Sequence, residues 1–146
     1  MIKTGALKFI AFLESLQSIP FLIIRVGLGW VFVTSGWGKL NNLPKVIEYF
    51  QSLNIPAPAI QAPFVAGVEL IGGAAVLLGY GSRLASLLLA STMVVALITA
   101  KAEDIHDFGS LWEISEFLYI LLFSVIATHG PGKFALERVL HRHWRM

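Results

Sequence analysis

Four ionisable side chains, Arg25, Lys39, Glu69 and Glu116, stand in stretches of this 146-residue chain that are otherwise almost wholly apolar. A charge at the centre of a bilayer costs at least ~2.5–3.5 kcal/mol on insertion scales, so such residues face a protein interior, find partners or snorkel outward. Two cations and two carboxylates cancel formally. A cation can hydrogen-bond a ligand oxygen and stabilise negative charge developing there, and a nearby carboxylate can give or take the proton. The same charges can equally form a buried polar network that sets helix register. On the residues alone both readings stay open.

What must position these groups is a set of apolar helices. Hydrophobic residues make up 56% of the chain and charged residues 14%, against about 25% charged in an average soluble domain. A soluble domain of this length cannot hide so much apolar surface. Apolar runs lie at about 20–40, 60–80, 84–100 and 114–128, and a helical crossing takes ~17–25 residues. The last two runs are short and are expected to extend into their polar flanks. None shows the alternation of a barrel strand. Pro20 opens the first run, while Pro56, Pro58 and Pro63 break the chain before the second. Gly79 and Gly81 close the second, and Gly130-Pro131-Gly132 stops the fourth. The connection from 41 to 61 reads mainly as loop, with a short surface helix over 45–53.

The two ends read as interfacial. Before Pro20, Thr4, Lys8, Ser15 and Ser18 share one helical face, and Phe9, Ile10, Phe12, Leu13 and Leu16 cover the rest. After Gly132, Leu136, Val139, Leu140, His143 and Trp144 oppose Arg138, Arg142 and Arg145. The first segment runs into a span without a small-x-small cleavage site, which argues against a cleaved signal. The expected fold is therefore all-α. It is one domain over 1–146, an integral membrane bundle of four transmembrane helices over 20–128 with amphipathic interfacial helices at 1–19 and 133–146.

Lys3, Lys8, Arg83, Lys133, Arg138, Arg142 and Arg145 fall on one side of a four-pass arrangement, and Lys39, Lys45 and Lys101 on the other. The richer side is expected in the cytoplasm, with both termini, in a bacterial-type inner membrane. The basic C-terminus fits lipid headgroups better than nucleic acid, because aliphatic residues interleave it. Lipid, other membrane subunits and a second copy of the chain are the expected partners. Lacking cysteine, the chain makes no disulfide, thiolate metal site or thiol redox step. Glu103, Asp104, His106 and Asp107 cluster without an i, i+4 ligand pair, so they read as a solvated loop and no metal site is assigned.

Helical rise places Arg25 roughly 8 Å inside the richer side, Glu69 about 16 Å and Glu116 about 18 Å, with Lys39 near the opposite surface. Glu113 sits one turn above Glu116, toward Lys39 or Lys101. Gly29 and Gly36 share a stripe with Arg25, and Ala66 and Gly73 share one with Glu69. Small residues let helices approach closely in lipid, which brings an Arg25–Glu69 pair within expectation. Trp30 and Trp37, seven apart, share a face. With Phe32 and Phe64 they could sandwich a planar ring, although lipid-facing packing is the commoner use.

The stretch Arg25-Val26-Gly27 through Gly36-Trp37-Gly38-Lys39-Leu40 resembles the first-helix signature of the DoxX family. Gly67-Val68-Glu69-Leu70-Ile71-Gly72-Gly73, Leu77-Leu78-Gly79, Arg83, Glu116 and Gly130-Pro131-Gly132 follow in the family's order. Ala135 and Glu137 depart from its usual serine and aspartate. The resemblance implies a small four-helix membrane protein, related to subunits of a thiosulfate:quinone oxidoreductase and to complexes of oxidative-stress defence. Together, residues and resemblance lead to a redox-associated subunit that binds a quinone-like molecule. Glu69 and Glu116 are the expected proton-handling, catalytic groups, and Arg25, Lys39, Trp30, Trp37 and Glu113 the expected ligand contacts. A non-catalytic scaffold or assembly subunit is the alternative, and a small proton-coupled transporter the third reading.

Overall fold

The computed structural model describes residues 12–13 and 16–137. Most of the two expected interfacial segments, at 1–19 and 133–146, lies outside the described residues. Within them all regular structure is helical: α1 (Ser18–Asn41), α2 (Leu43–Ser52), α3 (Pro58–Leu78), α4 (Ser82–Ala100), a short 3-10 turn (Ala102–Asp104), α5 (Phe108–Leu111) and α6 (Ser115–His129).

Length and composition suit α1, α3 and α4 to crossing a membrane. Their 24, 21 and 19 residues reach about 36, 32 and 28 Å, against ~30 Å of hydrocarbon. The fourth helix, α6, has 15 residues and reaches only about 22 Å. It does not extend into its polar flank as expected. Ile114 takes an extended conformation just before it, and the chain folds back through α5. Asp107 and Ser110 form a reciprocal cap there, which satisfies the free N–H groups of that short turn.

Along α1, α3 and α4 large apolar side chains face outward while two charged groups are enclosed. Ile23, Ile71 and Leu84 are each about two-thirds exposed or more, while Arg25 and Glu69 are almost fully enclosed. A soluble protein distributes these residue types the other way.

Helix ends follow local chemistry. Gly79, at φ 71°, closes α3. Tyr80 N–H bonds the Ala75 carbonyl and Gly79 N–H the Val76 carbonyl, the Schellman pattern that needs a left-handed residue. The proline cluster behaves differently from expectation. Pro58 begins α3, and Pro63 lies inside it. So near the start, the missing N–H frees only the carbonyl of Ala59. The short surface helix expected over 45–53 is present as α2.

Packing runs in pairs. The antiparallel helices α1 and α3 form the closest contact, α4 packs on α6, and α3 on α4 joins the two pairs. Along α1–α3 the glycines set the register. A Cβ on Gly29 would come within 2.6 Å of the Leu77 backbone nitrogen, and one on Gly73 within 2.7 Å of that of Val33. A Cβ on Gly36 would strike the backbone of Leu70 and Ala66. Phe32 spans from α1 to α6, edge-on to Phe123 at 4.9 Å and to Tyr119 at 5.3 Å. Around it lies a core of Leu28, Val76, Leu89, Met93 and Ile126.

Candidate functional site

Lys39 lies in the last turn of α1, and Ser35 stands one turn before it on the same face. Glu69 faces them from the middle of α3. The Lys39 ammonium donates to Glu69 Oε1, and Ser35 Oγ donates to Oε2 at 2.9 Å. Both carboxylate oxygens are thereby used. The Glu69 side chain is 1% exposed, that of Lys39 30%. A buried carboxylate is expensive unless paired, and here it has an ammonium and a hydroxyl. The ammonium keeps further donor capacity, because a lysine carries three N–H bonds.

This trio forms one wall of a cavity of about 620 Å³ bounded by α1, α2, α3, α4 and α6. Val46, Tyr49 and Phe50 of α2 close it on one side, so the connecting segment is part of the site. Met93, Ala96 and Thr99 contribute from α4, Glu116 and Tyr119 from α6. Thr92 and Thr99 turn their hydroxyls to their own helix carbonyls at 2.8 Å. That leaves a mostly apolar chamber whose charged groups are Lys39, Lys45, Glu69 and Glu116. Lys39 and Lys45 balance Glu69 and Glu116 in its lining, so the chamber as a whole suits a headgroup without net charge.

Five of the residues picked out in the sequence therefore line one cavity: Phe32, Lys39, Phe64, Glu69 and Glu116. Glu113 lies nearby, in a separate polar cleft with Lys101, Asp104, His106 and Ser110, and Glu116 borders both spaces. Lys101 bonds Asp104 at 3.1 Å. That hydrogen bond and charge, with a further contribution from Glu116, raise the Lys101 pKa above its ordinary value. Among the described residues, no three histidine, aspartate or glutamate side chains gather in a metal-binding group.

Arg25, Trp30 and Trp37 are placed elsewhere. The expected Arg25–Glu69 pair does not form. Arg25 packs against Gly79, ten residues beyond Glu69 and so about 15 Å further along α3. Its guanidinium donates to the carbonyl of Pro131 and, at 3.1 Å, to that of Phe134. Arg83 does similar work beside it, donating to the Thr128 carbonyl at 3.2 Å at the end of α6, where a cation meets the negative end of the helix dipole. Trp30 and Trp37 follow the interface residues Gly29 and Gly36 by one position. They are turned about 100° away and lie 62% and 61% exposed on the outer surface.

The sequence reading missed Ser35, Tyr49 and Tyr119 as cavity residues. Ser35 was detectable, since it stands four positions before Lys39 and helical neighbours at that spacing share a face. Tyr49 and Tyr119 carried no comparable signal, because their approach depends on how α2 and α6 fold back.

The family model described as DoxX matches residues 21–102. The matched segment contains Lys39, Glu69 and the whole of the α1–α3 contact. Over 121 residues, covering 82% of this chain and 85% of the relative, the sequence is 32% identical to "Putative oxidoreductase CatD" of Bacillus subtilis (strain 168). Over 132 residues, covering 90% of this chain and 100% of the relative, it is 24% identical to "Inner membrane protein YqjF" of Escherichia coli (strain K12). No solved structure matches the chain significantly.

Proposed function

Because this chain belongs to the DoxX family and is a membrane protein, we propose that it binds a quinone-like amphipathic molecule in the cavity beside Lys39 and Glu69 and serves as a subunit of an oxidoreductase complex. The observation that carries this reading is the Ser35–Lys39–Glu69 trio set in the wall of a mostly apolar chamber. Chambers of this size, mostly apolar with a few convergent polar groups, are the usual form of small-molecule sites.

The residues fit such a headgroup. A quinone, when bound, supplies the redox chemistry. Lys39 directs a spare N–H at one ligand oxygen and stabilises negative charge there. Glu69, already in contact with Lys39, holds the proton balance of that group, and Glu116 is the second carboxylate able to exchange a proton with the chamber. Tyr119 of α6 also lines the chamber. Electrons reach the site from a partner, since the chain has no cysteine and no cofactor-binding motif. With the basic side cytoplasmic, the chamber opens toward the outer half of the membrane.

The test is a titration of purified protein with a tail-free dimethoxy-methyl-benzoquinone, followed by tryptophan fluorescence. Saturable binding to the wild type, weakened at least tenfold in Glu69→Gln and Lys39→Met, is expected. Equal binding by all three proteins, or by none, contradicts the reading.

A further inference from the structure

The chamber does not end cleanly at α3. Phe64, 65% exposed, lines it and also lines a second space, a groove of about 480 Å³ between the outward faces of α3 and α4. That groove is walled by Val68, Ile71, Ala75, Leu84 and Leu88 and contains no charged side chain. It follows α3 from Pro63 to Ala75, about 18 Å of helix, and continues past Tyr80 and Gly81. Its floor is open at Gly67, where an added Cβ would meet no atom within 4 Å.

Resting on the ligand reading above, we infer that the bound molecule is a long-tailed lipid-soluble quinone, with its ring in the chamber beside Lys39 and its hydrocarbon tail leaving past Phe64 to lie in the α3–α4 groove. Continuity selects this occupant. One ring side chain forms part of both walls, so an extended molecule anchored by its head at Lys39 meets the groove on leaving the chamber. The groove's lining supplies dispersion contacts and offers nothing to a polar guest. Gly67, three residues past Phe64 on α3, leaves open space in the groove along the line the tail would follow. Phe64 thus separates head from tail and selects for a chain thin enough to pass it.

Two probes with the same dimethoxy-methyl-benzoquinone ring, one tail-free and one carrying a decyl tail, separate this inference from the reading it rests on. Both are titrated in the same detergent, so that partitioning is common to wild type and variants. In the wild type the tailed probe binds more tightly. Gly67→Leu, which fills open space, should weaken the tailed probe about tenfold and leave the tail-free probe unchanged. A tailed probe with a diazirine at its far end should label Ile71, Leu84 or Leu88, and unlabelled tailed quinone should compete. Equal affinity of Gly67→Leu and wild type for the tailed probe overturns the tail path while leaving the headgroup site standing. Label on α1 or α6, groove labelling that the quinone does not compete (the mark of bilayer acyl chains), or cross-linking to a second copy through the groove also overturns it. Failure of the tail-free ring to bind the wild type removes the headgroup site and this inference with it.

Discussion

The two cations of α1 do opposite jobs at opposite ends of the bundle. Arg25 is buried, and both terminal nitrogens of its guanidinium donate to backbone carbonyls of the segment after α6. Glu137 N–H reaches the Gly79 carbonyl at 3.3 Å in the same region, and Ala135 is completely enclosed. This end is closed by main chain. At the other end Lys39 keeps part of its side chain exposed in a cavity wall, beside one buried carboxylate. The difference follows from the head groups. A guanidinium is a rigid fork that two fixed carbonyls hold in one orientation, whereas an ammonium is compact and pivots on a flexible stem. One end is closed by main chain, and the other borders an open cavity.

That contrast breaks most visibly at Arg25. Arg25→Ala empties a buried position and removes the donor to the carbonyls of Pro131 and Phe134, which together should cost about 3 kcal/mol. A thermal unfolding curve in detergent should show a loss of about 3 kcal/mol, with quinone affinity of the folded fraction unchanged. Lost affinity at wild-type stability would place Arg25 in the site instead. A smaller effect is expected at the helix contact that sets both ends. Gly36→Val pushes a side chain into the α3 backbone and should cost about 2 kcal/mol, again by thermal unfolding, with weaker ligand binding because Lys39 and Glu69 are drawn apart.

Glu69→Gln sharpens the comparison from the other side. The amide keeps the volume and an acceptor for Lys39, but removes the charge that fixes the ammonium in the chamber wall. Stability should fall by only about 1 kcal/mol, while the affinity for quinone falls at least tenfold. A stability loss as large as that of Arg25→Ala, with binding intact, would make the Lys39 end structural too. Least of all is expected from Trp30→Phe and Trp37→Phe. Both side chains face outward, and each change should stay within about 0.5 kcal/mol and leave the binding isotherm where it was.

Much of the bundle was legible in the residues. The apolar runs gave α1, α3 and α4 because backbone in lipid must bond to itself, and the Gly29, Gly36 and Gly73 stripes gave the α1–α3 contact. The Arg25 assignment failed for a definite reason. Depth along a membrane normal says which groups share a level, but the reach of a side chain depends on register, and the glycine pairs put Arg25 opposite the end of α3. Trp30 and Trp37 were misplaced although the same stripe held the answer, since residues one position past an interface glycine cannot share its face. The contribution of α2 to the chamber was not legible, because nothing local says where a short amphipathic helix folds back. Glu116 was placed near the midplane. The structure puts it in the first turn of α6, bordering both the chamber and the polar cleft.

Native mass spectrometry of the protein released from its own membrane is the most direct check on the chamber as a ligand site. The wild type is expected to carry one neutral lipid-soluble molecule. Ala96→Trp, which places an indole in the chamber and leaves both members of the Lys39–Glu69 pair in the sequence, is expected to lose it and to remain folded. An identical small-molecule load on a folded Ala96→Trp protein, or none on the wild type, would contradict the account.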